Sequence, residues 1–222
     1  MSSYAWLITS DSSRRVPIPS DIVIPAETEA YIRVAFLFAQ QRANTEISGM
    51  CRVEERESVF YIKDPLIPTQ LNTGDGTDFL GSVWASMLDD IREKGQDPLE
   101  WYCWWHSHVR SQAYFSFVDQ RMIRSRLQVL IMSEYAATYP QKAPLVLAGP
   151  FISLVGNVFG DLAGRIDFLQ RADDRDSQIT CEPSLCRPFS QLSLEEQEQL
   201  LYTHADAVRE RISDDVFFRH RS

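Results

Sequence analysis

The sequence predicts an α/β protein: one mixed sheet flanked by helices, continued by a C-terminal helical extension. Three observations predict it. Segments with a 3.6-residue apolar period alternate with short apolar runs of strand character. The aromatic run Leu99-Glu100-Trp101-Tyr102-Cys103-Trp104-Trp105 has the composition of a buried strand. Near the end, Ser193-Leu194-Glu195-Glu196 has the form of a capping box opening a last helix toward Ile212.

The elements follow in chain order. Residues 1–21 begin with a short apolar patch and turn polar, and are read as an N-terminal extension or an edge strand. Val16 to Pro25 alternates between prolines and suggests a strand. Glu27 to Ala43 holds good helix formers, with Ile32, Phe36 and Ala39 on one face. Ser48 to Arg52 and Val59 to Ile62 form a strand pair around the charged turn Glu54-Glu55-Arg56-Glu57. Thr69 to Gly76 collects turn formers and reads as a loop, and Asp78 to Lys94 as a helix stopping near Gly95. After the aromatic strand, Ser116 is the candidate N-cap of a further helix. Ile123, Leu127, Leu130, Ile131 and Tyr135 recur at helical spacing and prolong it. Phe151 to Val155 and Gly164 to Leu169 read as paired strands around Asn157 to Gly160. Residues 171–191 are polar and form a linker, and 192–222 a helical tail.

Composition narrows the class. The chain has 222 residues, 44% of them hydrophobic and 24% charged, enough for one domain with a real core plus extensions. No apolar run approaches the roughly 20 residues that span a bilayer. Met1 to Ser10 lacks a basic n-region, so no signal peptide is expected. Cys51 and Cys103 fall in strands and read as buried free thiols, which points to the cytoplasm. A net charge of −9 argues against a general nucleic-acid binder. Against that acidic background Arg110, Arg121, Arg124 and Arg126 make one basic stretch, read either as a solvated helix face or as a patch for an acidic partner.

The chemistry is concentrated in His106-Ser107-His108, followed by Ser116 and Asp119. Side chains at i and i+2 of a strand point the same way, so the two imidazoles can converge where no helix would let them. Asp119, one turn into the next helix, can face back and add an oxygen ligand. Two imidazoles and a carboxylate suit zinc, and three protein ligands leave a fourth position for water, as in a catalytic site. The bland alternative is a surface His-x-His with an unrelated acid nearby. Ser116 can cap its helix, donate to an oxyanion, or do both. Alternation turns Ser107 away, so it has no catalytic role. Cys181 and Cys186 lack a second Cys/His pair, so one zinc per chain is expected.

His106-Ser107-His108, the seven-residue gap, Ser116 and Asp119 together resemble the motif of the JAB/MPN metalloproteases, also called JAMM proteases. The Trp104-Trp105 pair is similar to the family too, and Pro150 to Asn157 resembles the strand that follows the metal helix in bacterial members. The resemblance implies a JAB/MPN (cytidine-deaminase-like) catalytic domain over residues 22–170, with an insertion at about 124–146 where compact members return to the sheet sooner. That insertion could wall the substrate cleft or form a dimer contact. The resemblance also implies an upstream glutamate, and Glu46, ahead of Ile47-Ser48-Gly49-Met50, matches its place. Glu46 would be general base and then general acid. One departure is Val109, where many members have proline after the second histidine.

Such enzymes cut after the C-terminal glycine of ubiquitin or a ubiquitin-like protein. The likeness to bacterial members implies deconjugation of a ubiquitin-like protein, maturation of its precursor, or both, beside E1- and E2-like proteins and in some cases in antiphage defence. The alternatives are a noncatalytic MPN scaffold and a zinc peptidase for a small sulfur-carrier protein.

Overall fold

The computed structural model describes residues 4–8, 15–19, 21–73, 76–78, 81–138, 146–172 and 175–218. Its centre is an eight-stranded mixed sheet. In chain order the strands are β3 (Asp21–Val23), β4 (Ser48–Arg56), β5 (Val59–Leu66), β8 (Cys103–Ser107), β9 (Val146–Gly156), β10 (Leu162–Ala172), β11 (Arg175–Cys181) and β12 (Ser184–Cys186). Across the sheet they run β11-β10-β9-β8-β4-β5-β3-β12. The β8/β9, β3/β5 and β3/β12 pairs are parallel and the others antiparallel. Two small sheets accompany it: the hairpin β1 (Tyr4–Ile8)–β2 (Arg15–Pro19), and a three-stranded sheet of β13 (Val216–Phe218), β6 (Gln70–Thr73) and β7 (Gly76–Asp78).

Alternation along β8 divides the interior. Trp105 enters the core with Ile32, Phe36, Ile47, Phe60, Leu154, Val208 and Ile212, under helices α1 (Ala26–Ala43) and α4 (Leu194–Asp215). Trp104 faces the other way, into a core with Met50, Met87, Ile91, Ile123, Leu127 and Phe151, under α2 (Gly81–Glu93) and α3 (Phe117–Thr138). The sheet is therefore covered on both faces. Gly49 lies opposite Trp105, and a Cβ there would overlap the Trp105 ring and the Leu66 carbonyl.

Helix ends obey local chemistry. Glu27 and Glu29 sit in the first turn of α1, where negative charge suits the dipole, and Asn44 ends it in the left-handed conformation. Gly95 closes α2 with Gly95 N–H on Arg92 O and Gln96 N–H on Ile91 O, a Schellman motif. The capping box at Ser193 is formed, with Ser193 N–H on Glu196 Oε2 at 2.9 Å and Glu196 N–H on Ser193 Oγ at 3.3 Å.

Several expectations need correction. The run 99–105 is strand only from Cys103; Pro98–Glu100 is a 3-10 turn capped by Asp97. The charged turn shrinks to Glu57-Ser58, both at positive φ as a two-residue hairpin requires, so Glu54 to Arg56 are strand. The segment from Val16 to Pro25 is divided between β2 and β3, in different sheets. The expected loop Thr69 to Gly76 contains β6 and the start of β7, and Asp78 belongs to β7 rather than to α2.

The largest correction concerns the linker. Residues 171–191 carry the end of β10, then β11 and β12 at opposite edges of the main sheet, then a short 3-10 turn. Eight strands laid flat would set those edges about 34 Å apart at about 4.8 Å per strand. Only Glu182 and Pro183 join them, and Cys181 to Ser184 can span at most about 11 Å. The sheet must curl, and a Cβ at Gly164 of β10 would meet Leu185 of β12 at 2.7 Å. The helical tail is not detached either, since Val208 and Ile212 of α4 are core residues.

The long α3 matches the prolonged helix, while residues 139–145 lie outside the described residues. Cys51 and Cys103 are buried and free, facing each other across β4 and β8. Among the described residues no helix is long and apolar enough to cross a membrane.

Candidate metal centre

Each residue of the motif is positioned by its element. His106 is the fourth residue of β8, and His108 follows the strand's last residue, with its N–H on Gly156 O at 2.8 Å. Ser107 points to the opposite side, where its Oγ accepts Ile47 N–H at 3.0 Å and its own N–H donates to Ile47 O at 2.9 Å. This reciprocal pair fixes the backbone that carries Glu46. The next residue is held by Gln70, whose amide accepts Ser48 N–H at 3.0 Å and donates to Ser48 O at 2.8 Å.

Ser116 caps α3: its Oγ accepts Asp119 N–H at 3.2 Å, and Asp119 Oδ2 accepts Ser116 N–H at 2.6 Å. The reciprocal bonds hold the Asp119 carboxylate toward the strand end. His106, His108 and Asp119 are all buried, and their Nε2, Nε2 and carboxylate oxygens converge. His106 Nε2 lies 3.2 Å from His108 Nε2 and 3.2 Å from Asp119 Oδ1, and His108 Nε2 lies 3.3 Å from Asp119 Oδ2.

These spacings test the fit of a metal. Two ligands at about 2.0–2.1 Å from a tetrahedral zinc stand roughly 3.3 Å apart, which is the separation found. The donor chemistry agrees. Neutral imidazole nitrogens and carboxylate oxygens bring lone pairs to one point, an arrangement that wants a cation. The three residues could therefore hold a metal ion.

The electrostatics follow from burial and from these contacts. Burial pushes the His106 imidazolium down, toward the neutral ligand form. For His108 burial acts the same way, but the hydrogen bond to Asp119 and the charge of Glu46 outweigh it and the net shift is upward. Burial opposes the Asp119 anion, yet hydrogen bonds from both imidazoles and Ser116 hold its carboxyl well below the usual range. Glu46 is pushed up to about 7, first by burial and further by the Asp119 anion, with His108 opposing.

Glu46, His106, His108, Ser116 and Asp119 all line one cleft of about 260 Å³, so every site residue predicted from the sequence reaches the same place. Trp104, Ser111, Tyr114, Val118 and Met122 complete the lining. Of these, Trp104 was legible in principle, two residues before His106 on the same face of the strand. Tyr114, edge-on to His108 at 5.2 Å, lies in an irregular loop where no periodicity marks it. Asn157 was equally hidden: its Nδ2 donates to Ser111 O at 3.0 Å and ties the loop after His108 to the β9–β10 turn.

The departure at Val109 has a structural counterpart. Its φ is 47°, in the left-handed region where β-branched residues are rare and which a proline ring forbids. Val158 N–H on Val109 O at 3.0 Å and Ser111 N–H on His108 O at 2.8 Å hold the turn. Of the basic stretch, Arg110, Arg121 and Arg124 are exposed and Arg126 is half-buried.

No protein-family model matches the chain, and no curated protein matches it. It is similar to the solution structure of protein DSY2949 from Desulfitobacterium hafniense at 13% identity and a TM-score of 0.40, over 75% of this chain and 93% of that one.

Proposed function

We propose that the protein is a zinc-dependent peptidase of the JAB/MPN (JAMM) kind, built on the cytidine-deaminase-like version of the mixed sheet. It would cut after the C-terminal glycine of a ubiquitin-like protein, in deconjugation, precursor processing or both. The observation that carries the reading is the meeting of Glu46, His106, His108, Ser116 and Asp119 in one cleft. A noncatalytic scaffold has no physical need of that assembly.

A zinc ion held by His106, His108 and Asp119 would supply a water ionising near pH 7. Glu46, lining the same cleft, would take the proton of the attacking water and return it to the departing amine nitrogen. The Ser116 hydroxyl, while capping α3, faces the cleft and can donate to the oxyanion. Trp104, Val118 and Met122 give the cleft apolar walls that limit water.

An extended tail would bind by strand addition, for which backbone pairing suffices. β7 offers an edge: among the described residues it pairs only with β6, whose Gln70 is bonded to Ser48 close to Glu46. A glycine tail, with no Cβ, is the slimmest that could lie beside the ligands and Ser116. Beyond Tyr114 a second groove of about 530 Å³, lined by Phe115, Arg165, Thr180 and Glu182, leaves room for the rest of the substrate. The exposed Arg110, Arg121 and Arg124 suit an acidic face on the modifier or its target. The free buried Cys51 and Cys103 fit a reducing, cytoplasmic compartment, and the resemblance to bacterial members implies E1- and E2-like partners, of the kind found in some antiphage systems.

The test is incubation of the zinc-loaded protein with a panel of ubiquitin-like proteins, sulfur carriers included, each extended beyond its terminal glycine. Mass spectrometry is expected to find a single cut after that glycine. Cleavage of the sulfur carriers alone would move the assignment to carrier processing. Failure to cut any fusion by a zinc-loaded protein would reject the peptidase reading.

A further inference from the structure

Metal-bound histidines usually fix their ring by donating the second ring N–H to a carboxylate, a carbonyl or water. For His106 no such protein partner is found: its Nδ1 is buried and has no hydrogen-bond partner among the described residues. Yet the ring is only 1% exposed and must be held for its Nε2 to meet the other ligands. Its neighbours show how. The Trp104 indole stacks on it with centroids 4.1 Å apart and planes 14° apart. Phe115 approaches it at 6.4 Å, tilted by 58°, within the range of aromatic pairs.

Phe115 is itself held. The Arg165 guanidinium lies over its ring at 5.5 Å, within cation–π reach. Arg165 in turn is fixed by Asp167, a fully buried carboxylate that accepts Arg165 Nε at 2.7 Å and Nη2 at 2.8 Å. Gln178 Nε2 at 2.9 Å and Thr180 Oγ1 at 2.7 Å bond the same carboxylate, so Arg165 has an over-determined position. The register explains why the parts meet. Trp104, Ser153 and Arg165 lie side by side across β8, β9 and β10, on the face that carries His106.

We propose that His106 is positioned by a ring clamp, Trp104 stacked on its ring and Arg165-backed Phe115 tilted against it, with no protein hydrogen bond at Nδ1 among the described residues. Trp104, Phe115 and Arg165 are positioning residues for the metal ligand, and the Arg165–Asp167 pair is the clamp's anchor. This rests on the metal reading of the site. A planar guanidinium bonded to Asp167 through Nε and Nη2 keeps its central carbon over the ring, which a lysine ammonium without a planar fork does not reproduce.

The test reads metal binding, without reference to turnover. Zinc affinity is measured by competition with a chromogenic chelator, and ligand geometry by the visible absorption of the cobalt-substituted protein. Trp104→Leu and Phe115→Leu are expected to weaken zinc binding by about ten-fold or more and to shift the cobalt bands. Trp104→Phe, which keeps a ring, should stay within about three-fold of wild type. Arg165→Lys should weaken binding in the wild type but add little in a Phe115→Leu background, because it acts through that ring. Circular dichroism of the metal-free variants checks folding. If Trp104→Leu fails to fold, half-buried Phe115 carries the test alone. Wild-type affinity with unshifted cobalt bands in Phe115→Leu overturns the clamp, as does full additivity of Arg165→Lys with Phe115→Leu. A wild-type protein that takes up neither zinc nor cobalt overturns the metal reading itself, and the clamp with it.

Discussion

His106→Ala, His108→Ala and Asp119→Ala are each expected to abolish metal binding and to take the proposed hydrolysis below detection. The three donors converge with separations of 3.2–3.3 Å, so no one of them can be lost without leaving a two-ligand site open to water. Elemental analysis of dialysed protein should give about one zinc per wild-type chain and at most roughly a tenth of that in each variant. Asp119→Ala carries a second penalty. It removes one half of the reciprocal cap on α3, worth about 1 kcal/mol, so it should also melt at a lower temperature than the others. Full occupancy in all three variants would reject the site. Cys181→Ser combined with Cys186→Ser should leave zinc content unchanged, and a fall by half would reveal a second ion.

Glu46→Gln separates proton transfer from metal binding. The substitution keeps the volume and removes the basic oxygen, so zinc should stay at the wild-type level while kcat falls by about 10²- to 10⁴-fold. Loss of zinc together with activity would make Glu46 a ligand instead of a base. The same variant tests the electrostatics of the metal-free protein. Glu46 in the fold ionises near 7, against an ordinary 4.5. Between those values the unfolded chain has released its proton and the folded chain has kept it, so stability falls as pH rises through the window. Denaturant melts at about pH 5 and pH 8 should show a loss in wild type that Glu46→Gln reduces. An equal loss in both would mean that Glu46 titrates as an ordinary surface carboxylate.

How much of this was legible beforehand depended on whether a residue's role is local. The helix start at Ser116, the capping box at Ser193 and the side-chain alternation of β8 are decided within a few residues, and the sequence pattern reports them. Glu46 was legible only by resemblance. What places it is the bond between Ser107 Oγ and Ile47 N–H, which joins residues 60 positions apart. β6 was missed because buried Gln70 and Asn72 break the apolar signature of a strand. β11 and β12 were missed for a related reason: edge strands stay polar, and prolines beside short strands look like linker. The clamp on His106 shows the same limit, since Trp104 is local to its target whereas Phe115 and Arg165 reach it only through the register of three strands.

The two-residue step from β11 to β12 also fixes the order in which the domain can mature. β3, at Asp21–Val23, has β12, at Ser184–Cys186, as its outer neighbour, a pairing between chain segments more than a hundred and fifty residues apart. During synthesis β3 therefore leaves the ribosome long before the strand that finishes its edge, and so does the candidate metal centre on β8 and α3. Until β12 arrives, the nascent sheet presents an unfinished parallel edge, the kind of surface that recruits other chains. Such long-range parallel pairing is also slow to form. A chain cut at residue 170 would keep every proposed metal ligand and still be held at that stage, catalytically furnished but prone to self-association.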